Sequence, residues 1–284
     1  MEFVRYDINK YSPRQMVTLP LVLLLIAGMV LGYTTLTTGL PLRPGIDFAG
    51  GTAVTVFTSD SRETIEATFS AYPLLSVGEG VGNGKYLQFG PMDDAQYQSL
   101  SALINEKYPD VKVDQIGETF GKTLQDQAFF AVLLSFIGMS IVVLIAFRNL
   151  VASGAVVLAA ISDITIAAAV MQVIGIPLTL GTTAALLMLI GYSVDSNILL
   201  TTRVLKRKGK LEDKLSGAFR TGIIMTTTTL SAVVVMWLVS TVGQIQIISE
   251  IGAVLIIGLL ASLMSTWMLN AGILKEYSRR SGRK

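Results

Sequence analysis

Six runs of about 20 apolar residues constrain this chain more than any other feature. A run of that length crosses about 30 Å of hydrocarbon as a helix. Within lipid, only helices and closed barrels satisfy every backbone N–H and C=O. The first run spans residues 16–36, and the others fall at 127–147, 151–174, 179–202, 221–242 and 248–270. Composition agrees. The 284 residues are 51% hydrophobic and 15% charged, with a mean hydropathy of +0.60, whereas a soluble chain is about a quarter charged. The fold class read here is a polytopic α-helical membrane protein with six transmembrane helices. No small-residue cleavage site follows the first run, so it is expected to stay as a span and not to be removed as a signal peptide.

Residues 37–126 are different in kind: polar, and broken by Gly and Pro. Residues 52–58 are rich in β-branched side chains and read as a strand. Ser61 is placed to cap a helix with Glu63 and Glu66 in its first turn. Residues 74–77 read as a short strand, 78–84 as a glycine-rich turn and 85–89 as the next strand. Asp93 or Asp94 caps a second helix, which carries Leu100, Leu103 and Ile104 to about Lys107, and 111–116 alternate as a last strand. The order β-α-β-β-α-β is that of a small α+β, ferredoxin-like domain, inserted between the first two spans.

Lys and Arg placement sets an expected orientation. Residues 1–15 form a basic arm, with Arg5, Lys10 and Arg14. The connection from Arg203 to Arg220 holds seven basic residues, and the 271–284 tail ends in Arg279, Arg280, Arg283 and Lys284. The connections at 175–178 and 243–247 hold none. Both termini are therefore expected on the cytoplasmic side of the plasma membrane, with residues 37–126 extracytoplasmic. That segment has twelve acidic and six basic residues, which reads as a solvated face or a docking surface for a cationic partner.

The chain has no Cys and no His. That excludes disulfides, thiolate chemistry, Ser-His-Asp hydrolysis and His-based metal sites. No P-loop is present. No enzymatic activity, cofactor or metal is expected, and the net charge of +2 gives no reason to expect nucleic acid.

The polar positions inside the spans therefore carry the functional reading. Asp195 lies in the inner half of the fourth span, about 12 Å along the helix from Arg203, and Asp163 lies in the third, about 18 Å from Val151. A charge at such depth costs at least about 2.5–3.5 kcal/mol on insertion scales and marks a functional position by default. The two carboxylates would share a hydrated pocket if their helices were neighbours, and either would serve packing alone if it were bonded to Ser and Thr. Gly191, Tyr192 and Leu199 share a helix face with Asp195. Arg220 opens the fifth span as a pathway residue or an interfacial anchor, ahead of Thr226–Thr229. Glu250 reads as facing the interface. Small residues at 153–155, 159–160, 167–169, 252, 258 and 262 suit close helix packing.

Two motifs carry a resemblance. Gly45-Ile46-Asp47-Phe48-Ala49-Gly50-Gly51-Thr52 resembles the Gly-Ile-Asp-Phe-x-Gly-Gly-Thr signature of the SecD and SecF family of protein-export membrane subunits. Gly191-Tyr192-Ser193-Val194-Asp195-Ser196-Asn197 resembles that family's fourth-helix motif. Six spans with one domain of about 90 residues between the first two are similar to the SecF layout. In bacterial members the acidic residue follows an Asn. Here Asp195 stands one position earlier, as in the SecD form, which points to an archaeal type.

The resemblance implies membership in the resistance-nodulation-division superfamily, in which two six-helix halves pack about a pseudo-two-fold axis. It implies SecD, the Sec translocation channel, preproteins and the lipid bilayer as partners. It also implies export driven by the proton motive force or a sodium gradient, with Asp195, Asp163 and Arg220 as ion-relay candidates. The other readings left open are a passive scaffold of the translocon and half of a small-molecule or lipid exporter.

Overall fold

The computed structural model describes residues 11–79, 84–108 and 111–280. Six helices among them are long and apolar enough to cross a membrane, and an α+β domain stands between the first two. Helix α1 (Pro13–Thr38) opens with Ser12 and Gln15 in a reciprocal cap and Pro13 in the first turn, and closes on Gly39 at φ 79°. Helix α2 (Ile46–Ala49) is one turn at the foot of the α+β domain.

That domain contains β1 (Gly51–Phe57), α3 (Arg62–Thr68), β2 (Leu74–Glu79), β3 (Gly84–Phe89), α4 (Asp94–Lys107) and β4 (Val111–Ile116). The strands form one antiparallel sheet in the order β2-β3-β1-β4, with Val54 opposite both Leu87 and Val113. Ser61 and Asp93 cap the two helices by accepting from the amides of Thr64 and Gln96. The expected arrangement is therefore present. One detail differs: Gly78 and Glu79 extend β2, and Gly84 opens β3, where a turn was read; residues 80–83 of that turn lie outside the described residues. Val54, Val56, Ile65, Phe69, Leu87, Phe89, Leu100 and Ile104 fill the space between sheet and helices. Phe69 meets Phe89 edge-on, with centroids 5.4 Å apart.

The remaining helices are α5 (Glu118–Phe147), α6 (Leu150–Ile174), α7 (Leu180–Lys206) and α8 (Leu211–Val242). A continuous run follows: α9 (Gln246–Met264), a π-helical turn at Ser265–Asn270, and α10 (Ala271–Arg280). Helices α5 and α8 start nine or ten residues before the apolar runs at 127 and 221. Hydropathy marks only the part of a helix that must avoid water. The hydrogen-bonded ladder continues through polar turns such as Glu118–Asp126 until a cap or a change of backbone angle stops it.

Helices α6 and α7 lie at the centre. Ala152, Ala155, Val156, Ala159, Ala160 and Ala167 of α6 are buried, and the small side chains let its neighbours approach closely. Gly222 of α8 lies against the Trp267 ring, and Gly258 of α9 against Leu189, so close that a β-carbon at either glycine would overlap its neighbour.

Phe69→Ala empties the centre of the α+β domain and should cost about 3–5 kcal/mol. In detergent-solubilised protein, limited proteolysis should then cut within 51–116 while the helices stay protected. The Tyr108 hydroxyl donates to Asp60 at 2.8 Å. Burial, and then Asp60, push its pKa up to about 12. A raised pKa means this contribution is complete below about pH 10 and is lost as pH rises through about 12. Urea unfolding followed from pH 9 to 12 should show that loss in the wild type and a flatter profile in Tyr108→Phe.

Candidate functional site

The functional candidates converge on α7. Its start is closed by a cap in which Thr179 Oγ1 accepts from the Thr182 amide and Thr182 Oγ1 accepts from the Thr179 amide. Further along, Ser193, Asn197 and Thr201 recur every fourth residue and so share one face. All three are fully buried. Opposite them stand Ser162 and Asp163 of α6, and Ser262, Ser265, Thr266 and Asn270 from the end of α9 and the π turn, all buried.

These side chains form a polar seam. Ser193 Oγ donates to Asp163 Oδ2 at 2.5 Å, and Ser265 Oγ reaches Ser162 Oγ at 3.4 Å. Asn197 Nδ2 donates to the Ser193 carbonyl at 2.8 Å. Asn270 Nδ2 donates to Asn197 Oδ1 at 2.7 Å and reaches Thr201 Oγ1 at 3.5 Å. From Ser193 to Thr201 the seam follows α7 for about 12 Å. Asp163 Oδ1, Asn270 Oδ1 and Thr266 Oγ1 are buried without a hydrogen-bond partner. A lining of carboxylate, hydroxyl and amide oxygens is suited to a proton or a hard cation. The π turn belongs to the seam, since its widened turn rephases the helix and lets Ser262, Ser265 and Asn270 serve one side. Such turns are frequent at functional sites.

Asp195 lies elsewhere. Successive residues of a helix are about 100° apart, so burying Ser193 and Asn197 turns the residue between them away. Asp195 is exposed, as is Gly191, while Tyr192 and Leu199 are half-buried. Helices α6 and α7 are neighbours, yet the two carboxylates do not share a pocket: Asp163 faces into the bundle and Asp195 faces out of it. Arg220 is exposed at the start of the apolar part of α8. It is Arg203 that ties helices together, donating to the Gly217 carbonyl at 2.6 Å and to Thr221 Oγ1 at 2.9 Å. The Thr run turns back on its own helix. Thr227, Thr228 and Thr229 donate to carbonyls of Ile223, Ile224 and Met225, and only Thr226 of the four is buried. Glu250 is half-buried and accepts from Gln246.

In the first motif, Ile46, Phe48, Gly50 and Thr52 are buried, and Gly50 and Gly51 adopt φ 77° and 141°. Sequence reasoning weighed the face of α7 that carries the charge and named Ser193 and Asn197 of the opposite face only as part of the motif. Ser162, Thr201, Ser265 and Asn270 were missed, although the i, i+4, i+8 spacing of 193, 197 and 201 was readable as a second polar stripe.

Asn197→Leu and Asn270→Leu should each lower the thermal midpoint of the purified protein, because each removes one partner of the buried hydrogen bond from Asn270 Nδ2 to Asn197 Oδ1. The double variant should lose less than the sum. The coupling should be about 0.6–1.7 kcal/mol, the range for hydrogen bonds between membrane helices.

Comparison with known proteins gives the lineage. A family model described as "Protein export membrane protein SecD/SecF, C-terminal" matches residues 96–280. The protein-export membrane protein SecF of Methanolacinia petrolearia is 57% identical over 278 residues, covering 98% of each chain. That of Pyrococcus furiosus is 40% identical over 283 residues, covering 96% of this chain and 94% of its own. The fold matches the crystal structure of SecDF, a translocon-associated membrane protein from Thermus thermophilus, with a TM-score of 0.75 at 20% identity. The match covers 98% of this chain and 40% of that longer one. With matches of this extent along its whole length, the chain belongs to the SecD/SecF family of protein-export membrane proteins, among its SecF members.

Proposed function

We propose that this export subunit works with SecD at the Sec translocation channel, promoting preprotein translocation with energy from a proton or sodium gradient. In this reading both termini are cytoplasmic and the α+β domain faces the outside. The observation that carries it is Asp195, an exposed carboxylate in the apolar stretch of a central helix. Left against lipid it would cost at least about 2.5–3.5 kcal/mol. A second six-helix bundle, which is what SecD would supply, covers it and brings polar partners to it.

On its other face the same helix holds Asp163 through Ser193. Asp163 is the group placed to take up and release the coupling ion within this bundle, and Asp195 acts at the junction with the partner. Arg220 lies on the surface, where its role is an electrostatic contact with the partner or with the membrane interface. A single charge moved through about 100 mV releases about 2.3 kcal/mol. At about 1.4 kcal/mol per decade, that shifts a two-state population roughly forty-fold. The interior of the α+β domain is filled by its own side chains, which favours mechanical work on a polypeptide over an apolar substrate chamber there.

Cells depleted of the protein are complemented with wild type, Asp195→Asn or Asp163→Asn, and preprotein accumulation is followed with and without an ionophore. Both variants should co-purify SecD at wild-type levels while export drops to that of the ionophore-treated wild type. Normal, gradient-sensitive export by both variants would remove the relay reading and leave a scaffold.

A further inference from the structure

The first motif forms a joint that neither the seam nor Asp195 explains. Helix α2 follows the end of α1 and leads through Gly50 directly into β1, the strand hydrogen-bonded to both β3 and β4. On one side α2 is pressed against the start of α5. A β-carbon at Gly121 would meet the Gly50 nitrogen and the Phe48 carbonyl oxygen at 2.9 Å, and one at Gly50 would meet Glu118 Cα at 2.7 Å. On the other side the chain is pinned to the start of α7. The Gly45 amide donates to the Leu178 carbonyl at 2.8 Å, and the Leu178 amide to the Arg43 carbonyl at 2.8 Å. These two bonds frame a parallel bridge between Pro44 and Leu178. The Arg43 amide donates to Gln172 Oε1 at 3.0 Å. A β-carbon at Gly45 would meet Thr179 Cγ2 at 2.7 Å, so this closeness requires glycine.

The last tie is a side chain. Asp47 Oδ2 accepts from the Leu180 amide at 2.8 Å, across 133 residues of sequence. The α7 start already has its own cap in Thr179 and Thr182. Leu180 is the first residue of the helix, with an N–H that no helical carbonyl can reach. A carboxylate there also meets the positive end of the helix dipole.

We infer that Asp47 is a positioning residue that couples the α+β domain to α7. It holds the foot of strand β1 against the first turn of the helix that carries Ser193 and Asn197 inward and Asp195 outward. Leu180 and Ser193 are thirteen residues apart, about 20 Å along one rigid helix. A displacement of the sheet therefore reaches the seam, and a change in the seam reaches the sheet. This inference rests on the proposed function for the direction of energy flow, but the joint has a readout of its own.

The test uses the full chain with its partner in membranes. Asp47→Ala should raise hydrogen exchange at Leu180 and the following turn on the order of tenfold, the equivalent of about 1.4 kcal/mol. Exchange in β1 and β3 should not change, and translocation should fall. Asp47→Asn keeps an acceptor oxygen and should retain most of both. The sequence has no Cys, so Pro44→Cys with Leu178→Cys introduces a single pair. Strands paired in this way lie about 4.8 Å apart, within the Cα range of a disulfide. With Asp47 intact this pair should export normally when oxidised. In the Asp47→Ala background the oxidised pair should restore translocation and the reduced pair should not.

Unchanged exchange at Leu180 in Asp47→Ala, or a loosened α7 start with normal translocation, overturns the inference. An oxidised cross-link that leaves Asp47→Ala defective also overturns it. If Asp47→Ala is defective and rescued while Asp195→Asn and Asp163→Asn export normally, the coupling stands and the relay reading falls. The opposite pattern sinks the coupling and keeps the relay.

Discussion

A helix that must present polar groups to a membrane bundle has only about 100° of rotation per residue with which to sort them. In α7 that constraint organises everything around it. Ser193, Asn197 and Thr201 face inward and are met by Asp163 and Asn270, because a polar group buried from both water and lipid has to find protein partners. The same rotation sends Asp195 outward. The alanines of α6 and Gly258 of α9 then follow as consequences, since hydrogen bonds of 2.5–2.7 Å between side chains on three helices need backbones that approach closely. Trp267 against Gly222 does the same for α8 at the level of the π turn.

Much of the architecture was legible in the sequence for simple reasons. Hydrocarbon thickness writes itself into run length, so six spans could be counted. Caps and alternation mark small α+β elements, so Ser61 and Asp93 fell where helices begin. Helix ends were not legible in the same way. Nothing in hydropathy says that α5 begins at Glu118, because its first turns are polar and are held by backbone bonds and by packing on α2. The candidate site was half legible. A carboxylate in an apolar run attracts attention by its cost, so Asp195 and Asp163 stood out. Their relation did not, because it depends on which face of α7 is buried. Asn270 was hidden for a different reason: it sits next to a basic tail and reads as the end of a span until the π turn carries it back toward Asn197.

The first motif shows a second kind of information that a one-dimensional pattern hides. Paired glycines before a strand suit tight backbone turning. Gly50 and Gly51 do have positive φ, but Gly45 and Gly121 do something else. They remove side chains where segments more than 70 residues apart come into contact. The aspartate between them gains its meaning from Leu180, a partner that no local spacing could name.

These two features put opposite demands on one helix. The seam needs α7 held at a fixed rotation, because a turn of even one residue's worth would exchange Ser193 for a neighbour and leave Asp163 without its donor. Energy coupling, in the proposed reading, needs α7 to respond when the charge state at either carboxylate changes. Both demands are met if the helix moves as a body together with the elements bonded to it, keeping its internal contacts and changing its place against a partner. Asp163 is bonded to α7 directly, and α2 is bonded to it through Asp47. The unit that moves would then be α7 with α6 and the foot of the sheet, and the surface across which it moves is the one that carries Asp195.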